Sequence, residues 1–310
     1  MHARSIHTTG SFHARHCRKI TELAIRHVCE YIKRTMKKLL YAGIIVIAVI
    51  AVVAVGYRVY LGILAGDGQI TREVQAERTF GNDTDTGDAA DVDTNGNSDA
   101  VDEQEPAIGT IQYGVTSGES GDSRAQFLIR EVIFGRENLV EGTTRQLDGS
   151  FLIDYDDHSV RVGQFEINVR DIRTRSLDVD MSQERWSDGE RDVVIRAQIL
   201  QSGRDEFEFS TFNPTGVSGV PESFEIGDTL NIVLTGDLTI RGVTSSVDFD
   251  MELVLESEDM ISGTASTTVL WEDFNITIPY VGGNSDINSV DDSVELRLEF
   301  TAIQEERSGI

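Results

Sequence analysis

The chain has 310 residues and carries 27 Lys and Arg against 53 Asp and Glu, a net charge of −26, so nucleic-acid binding is disfavoured and no strip of arginines tracks a phosphate backbone. Its two cysteines, Cys17 and Cys29, lie near the N-terminus; the large C-terminal part therefore has no disulfide, no thiol nucleophile and no cysteine-ligated metal. The length suggests about two domains, and they are unequal.

Residues 1–38 hold nine Lys and Arg against Glu22 and Glu30, a net of +7 that leaves −33 for the rest of the chain. All four lysines (Lys19, Lys33, Lys37, Lys38) and five of the six histidines (His2, His7, His13, His16, His27) fall there. At Met36-Lys37-Lys38 the character becomes that of an ordinary membrane-protein start, so residues 1–35 read as a mis-assigned start, with a histidine metal tract as the sharper alternative. Leu39 to Tyr57 contains no charge and, as a helix, spans roughly 28 Å, enough to cross a hydrocarbon core. The basic residues before it place the 1–38 segment in the cytoplasm and everything after about residue 60 outside. No small-x-small cleavage site directly follows the apolar run, which favours a retained anchor over a signal peptide.

Residues 58–106 read as an acidic flexible linker, nearly pure in Asp, Thr, Gly, Asn and Ala between Gly81 and Glu105. Such a segment cannot bury a core and is expected to be disordered, a tether of roughly 35 Å if about 40 residues are free. Within it Asp91, Asp93, Asn95, Asp99 and Asp102, with Gly96 at the sixth position, approximate a calcium loop. Asp102 stands where a bidentate Glu is usual and no helical pattern flanks the loop. A solvated acidic linker is therefore the reading, and no metal site is assigned.

From residue 107 to 305 the pattern is β. The expected strands are Thr110–Val115, Ser123–Phe134, Leu139–Leu147, Gly149–Tyr155, Val160–Arg170, Asp192–Gln201, Glu206–Asn213, Thr229–Leu238, Ser246–Glu256, Met260–Val269, Asn275–Ile278 and Ser293–Ile303. A short turn or helix is expected near Arg175–Ser187, and residues 306–310 form a tail. Strands without crossover helices predict an antiparallel barrel or sandwich, between which the pattern alone does not choose.

Catalytic candidates are poor. Asp156, Asp157, His158 and Ser159 are adjacent on the chain, and neighbours on an extended strand face alternately, so they read as a turn rather than a converging triad. Asp178, Asp180 and Glu184 could gather a hard cation but read as a solvated loop. Arg191 reads as a structural ion pair with Asp192 or a nearby loop, and Asp237 with Arg241 as a pair fixing hairpin register. Phe127, Ile129, Phe151, Phe165, Phe207, Phe209, Leu238, Ile240, Phe249, Met251, Trp271 and Phe300 sit mostly at alternating strand positions. They could line one interior, either as a solid core or around a slender ligand.

The string Gly236-Asp237-Leu238-Thr239-Ile240-Arg241-Gly242-Val243-Thr244, an expected hairpin, resembles the signature of the YceI-like family. Ile172-Arg173-Thr174, Glu190-Arg191-Asp192, Phe207-Glu208-Phe209-Ser210 and Asp273-Phe274-Asn275-Ile276 resemble further landmarks in order, over roughly residues 108–304. Asn275 departs from the family's usual Gly, and Trp271 lies close to its usual Arg. The resemblance implies an all-β, antiparallel lipocalin-like barrel, here preceded by one transmembrane helix and a disordered acidic linker. It also implies an extracytoplasmic protein enclosing an isoprenoid lipid or quinone, with the twelve apolar residues as the wall. Burying about 400 Å² of such a chain would contribute on the order of 10 kcal/mol before binding costs. No cofactor and no catalysis are expected; the expected partners are the lipid and the membrane, and the oligomeric state is left open. The alternative is a ligand-free adhesion or scaffold domain, calcium-responsive through residues 91–102.

Overall fold

A computed structural model describes residues 10–66, 68–78, 80, 109–118, 122–184, 187–279, 281–283 and 286–305. The calcium-like residues Asp91, Asp93, Asn95, Asp99 and Asp102, and the tail, lie outside them. The chain divides into two compact units, 1–60 and 61–310.

The first unit is helical. Helix α1 runs from Gly10 to Ala65, past both ends of the expected 39–57 segment, and its Gly43–Ala65 stretch is long and apolar enough to cross a membrane. Leu61, Leu64 and Ala65 carry the apolar run beyond Arg58. Within the second unit Leu61 and Ala65 pack on Ala197.

The second unit is an antiparallel sheet of fourteen strands: β1 (Thr110–Val115), β2 (Arg124–Ile133), β3 (Arg136–Thr144), β4 (Leu147–Asp148), β5 (Ser150–Asp154), β6 (Ser159–Val162), β7 (Phe165–Asn168), β8 (Arg173–Ser176), β9 (Phe209–Ser218), β10 (Thr229–Ile240), β11 (Val243–Ser257), β12 (Met260–Leu270), β13 (Ile287–Val290) and β14 (Ser293–Gln304). β9 through β12 form a meander, and β12 pairs with β14 along its whole length. β14 then carries β1 beside its end and β2 beside its beginning. The curl closes through one bent segment: β4 pairs with β7 and β5 pairs with β1, with Gly149 between them. Counted with 147–154 as one strand, hydrogen-bonded neighbours make a circuit of eight, the size whose interior holds side chains or one small ligand. β2, β3 and β8 form a wing outside that circuit.

The β10–β11 hairpin follows the signature string. Its register runs from Thr229 opposite Val254 to Ile240 opposite Val243, leaving Arg241 and Gly242 at the tip with φ of 52° and 72°. Positive φ at both central positions is the tight turn whose twist suits a hairpin. Arg241 does not pair with Asp237. Its guanidinium donates to the carbonyls of Ile199 and Asn275, each at 2.8 Å, and so ties the hairpin tip to two neighbouring loops.

Two expectations are corrected by local structure. The expected strand Asp192–Gln201 is instead helix α2 (Asp188–Val194) continued by a π-helical turn, Ile195–Ile199. Ser187 caps it reciprocally with Glu190, a capping box readable as Ser-x-x-Glu, and this outweighs the β-branched run Val193-Val194-Ile195. The expected strand Asn275–Ile278 is replaced by a 3-10 turn, Trp271–Phe274, ending on Asn275 at φ 53°. Asn tolerates that left-handed conformation best after Gly, which accounts for its standing where glycine is usual.

The expected linker is also shortened. Residues 58–65 are helical, and residues 69–78 lie as a strap along the face of β4, β7 and β9 opposite the lumen. Arg72 bridges Glu166 through two bonds of 2.7 Å and lies over the Phe209 ring, 3.8 Å from its centroid. Thr71 donates N–H to Glu208 at 2.8 Å, Gln75 to Glu166 at 2.7 Å and Ala76 to Asp148 at 2.9 Å. Glu208 is fully buried, and the Thr71 hydroxyl, Asn168 at 2.8 Å and Arg170 at 3.2 Å complete its partners, as a buried carboxylate requires.

Candidate ligand-binding cavity

Inside the curl lies a cavity of about 140 Å³. β7 contributes Phe165 and Ile167, β9 Ser210 and Phe212, β10 Leu234, Leu238 and Ile240, and β11 Phe249 and Met251. Ala265 of β12 and Leu296 and Leu298 of β14 face them. Ala125, Gln126 and Phe127 of β2, Thr144 of β3, Arg297 of β14, Val169, Ile172 and Leu200 complete the wall. Leu200 follows the π-helical turn after α2, so the misread segment supplies part of the wall.

The aromatic rings can enter the lumen because the sheet yields space at glycines. A Cβ on Gly142 would collide with the Phe127 ring, one on Gly149 with Phe165 and one on Gly236 with Phe212. Each ring therefore packs closely on bare backbone, the arrangement in which a strand glycine admits a close neighbour. Gly149 does this at the bend that closes the sheet.

Of the twelve apolar residues expected in the wall, Phe127, Phe165, Leu238, Ile240, Phe249 and Met251 line the cavity. The other six do not. Phe151 and Phe300 face inward but stack on each other at 4.9 Å, with Phe165 edge-on to Phe151 at 5.7 Å, so that part of the lumen is solid aromatic core. Ile129 lies where β2 has left β14, opposite Val140 in the wing. Trp271 is in the 3-10 turn and donates to the Asp291 carbonyl at 2.8 Å. Phe207 precedes β9 under Arg204, and Phe209 faces outward beneath Arg72. The inward positions of β9 are Ser210 and Phe212, and a wrong phase moves every side chain to the other face.

The polar members of the wall differ in how they are satisfied. Thr144 Oγ1 accepts the Gln146 N–H at 3.1 Å, and Arg297 Nε donates to Glu295 at 2.6 Å. Ser210 Oγ is buried and has no hydrogen-bond partner among the described residues.

The remaining candidates have structural partners. His158 sits at φ 52° in a turn, its Nδ1 accepting the Phe224 N–H at 3.3 Å. Asp154 organises that turn. The Thr110 hydroxyl at 2.6 Å and the N–H groups of Asp157 and Asp156 hold its carboxyl below the usual carboxylate range. Asp178 accepts from Leu139 N–H, Asp180 from Ser182 N–H, and Glu184 pairs with Arg136. Among the described residues no three His, Cys, Asp or Glu side chains gather around a metal position. Arg191 is buried and bridges Glu131 at 2.8 Å and Asp188 at 2.5 Å, whereas Asp192 accepts from the Thr174 hydroxyl at 2.7 Å. The ion pair expected for Arg191 is thus with Glu131 and Asp188 rather than Asp192.

A curled antiparallel sheet around an apolar hollow defines the class: a lipocalin-like β-barrel. Residues 118–302 match the YceI-like domain, and the chain belongs to that family. It is similar to the proteins named Protein YceI of Salmonella arizonae and Salmonella newport, 29% identical over 170 residues in each case, covering 53% of this chain and 74% of the relative. Among solved structures it is similar to a polyisoprenoid binding domain from Saccharophagus degradans, 11% identical, covering 63% of this chain and 99% of that one with a TM-score of 0.42. It is also similar to Burkholderia cenocepacia BcnA, 15% identical, covering 58% and 95% with a TM-score of 0.39.

Proposed function

We propose that this protein is a membrane-anchored, extracytoplasmic binding protein that encloses part of an isoprenoid or other long-chain amphiphile, such as a quinone or polyprenyl lipid, in its barrel. The observation that carries this reading is the cavity itself. Phenylalanines resting on glycines leave a nearly hydrocarbon-lined hollow where a generic β domain would be filled, and the family resemblance points to an isoprenoid. A volume of about 140 Å³ is close to that of a dry apolar cavity known to admit a benzene-sized group. A longer chain is therefore taken in by displacing lining side chains, of which Met251, unbranched and flexible, is the first candidate. Each methylene buried contributes about 0.8 kcal/mol, so no covalent chemistry is needed to hold it.

Solvent extraction of the purified full chain followed by mass spectrometry tests this. The expected result is a stoichiometric long-chain lipid, reduced at least about tenfold in Ala265→Phe, which fills the lumen from β12, at unchanged melting temperature. Wild-type protein that yields no lipid and binds no added prenyl chain saturably overturns the proposal.

A further inference from the structure

Among the described residues, the cavity wall leaves one buried side-chain hydroxyl without a hydrogen-bond partner. Ser210 is 5% exposed and lines the lumen, and its hydroxyl, covered by neighbouring side chains that an entering chain would displace, finds no partner among the described residues. Its sheet neighbour across β7 is Ile167, which lines the same wall. A buried hydroxyl without a partner is destabilising, a cost that alanine at that position would avoid. The packing here asks for nothing that a hydroxyl supplies.

We infer that Ser210 is a specificity-determining contact that hydrogen-bonds a neutral oxygen on the ligand, so that the barrel selects an oxygen-bearing amphiphile over a bare hydrocarbon. A serine hydroxyl both donates and accepts, so a ligand carbonyl or alcohol oxygen satisfies it equally. A charged phosphate or carboxylate does not fit. Among the described residues no cationic side chain faces the lumen: Arg297 alternates with the inward Leu296 and Leu298, is half exposed and pairs with Glu295 at 2.6 Å, and an anion without a counter-charge would be desolvated at high cost. The recognised oxygen therefore lies inside the lumen among the side chains around Ser210. The inference rests on the chain-binding reading above and adds to it which chemical group is held and by which residue.

The test is a two-by-two titration of the full-length protein in detergent, wild type and Ser210→Ala, with farnesol and with farnesane, the saturated hydrocarbon without oxygen. Wild type is expected to prefer farnesol about tenfold, the equivalent of about 1.4 kcal/mol and within the range for one hydrogen bond. Ser210→Ala is expected to lose that preference while binding farnesane as wild type does, and Ser210→Thr, which keeps the hydroxyl, to retain it. Without ligand, Ser210→Ala should melt at the wild-type temperature or above. An equal preference in wild type and Ser210→Ala overturns the role of Ser210, as it would if the hydroxyl were satisfied by water alone. Binding of neither compound to wild type overturns instead the chain-binding reading on which the inference rests.

Discussion

Arg241 holds a conformation that a non-glycine residue adopts at a cost of roughly 1–2 kcal/mol, and its side chain supplies the offset. Two charge-assisted hydrogen bonds, to the carbonyls of Ile199 and Asn275, fasten the β10–β11 tip to the loops at that end of the barrel. Replacing it separates the two effects. Arg241→Ala loses the bonds and keeps the strain, and is expected to lower unfolding stability by about 2 kcal/mol. Arg241→Gly loses the bonds but relieves the strain, and should be about 1 kcal/mol less damaging. Urea unfolding measures both; equal midpoints for the two variants would remove the strain argument, and a wild-type midpoint in both would remove the anchoring. The hairpin was legible because Gly242 and the alternation around it state the turn directly. Ser210 and Phe212 were not, because Phe207 and Phe209 offered an equally regular alternation in the opposite phase, and only pairing with β7 decides between them.

At the level of elements, α2 and the strap were concealed for different reasons. The segment Asp192–Gln201 has the composition of a strand, and its helical state depends on the Ser187–Glu190 capping box and on Asp192 accepting from Thr174. The strap has no periodicity because its stability comes from partners more than 70 residues away in the chain. Its backbone N–H groups end on Glu208, Glu166 and Asp148, side chains that read from sequence only as dispersed acidity. Glu166 is the central attachment, holding both arms of Arg72 and the Gln75 N–H. Loss of a hydrogen bond to a charged group costs about 1.5–3 kcal/mol, so Glu166→Ala should raise the open population of the strap at least about tenfold. Under limited trypsin, cleavage at Arg72 and Arg78 should accelerate by the same factor, because cleavage of a rapidly opening segment follows its open population. Wild-type cleavage rates in the variant would mean that the strap is held by something other than this carboxylate.

For the molecule as a whole, the division of charge argues for one orientation. The +7 of residues 1–38 and the −33 of the remainder lie on opposite sides of the apolar run that begins at Leu39. Basic residues flanking a span are retained in the cytoplasm, whereas an acidic, lysine-free domain meets no such restraint. We therefore expect the barrel outside the cytoplasmic membrane. The chain offers a convenient probe, since Cys17 and Cys29 both precede the span and the barrel has no thiol. Ser246 is exposed on β11 opposite Asp237, away from the lumen-facing positions. In spheroplasts, a membrane-impermeant maleimide should label the Ser246→Cys variant with Cys17 and Cys29 changed to Ser, and should leave the wild-type chain, expressed from Met1, unlabelled until lysis. Labelling of wild type but not of this variant in intact spheroplasts would reverse the orientation. A barrel turned inward would also lose the argument for its position: under the proposed function, a carrier of a membrane-soluble amphiphile outside the cytoplasm must stay beside its source, which a retained helix ahead of the barrel would secure.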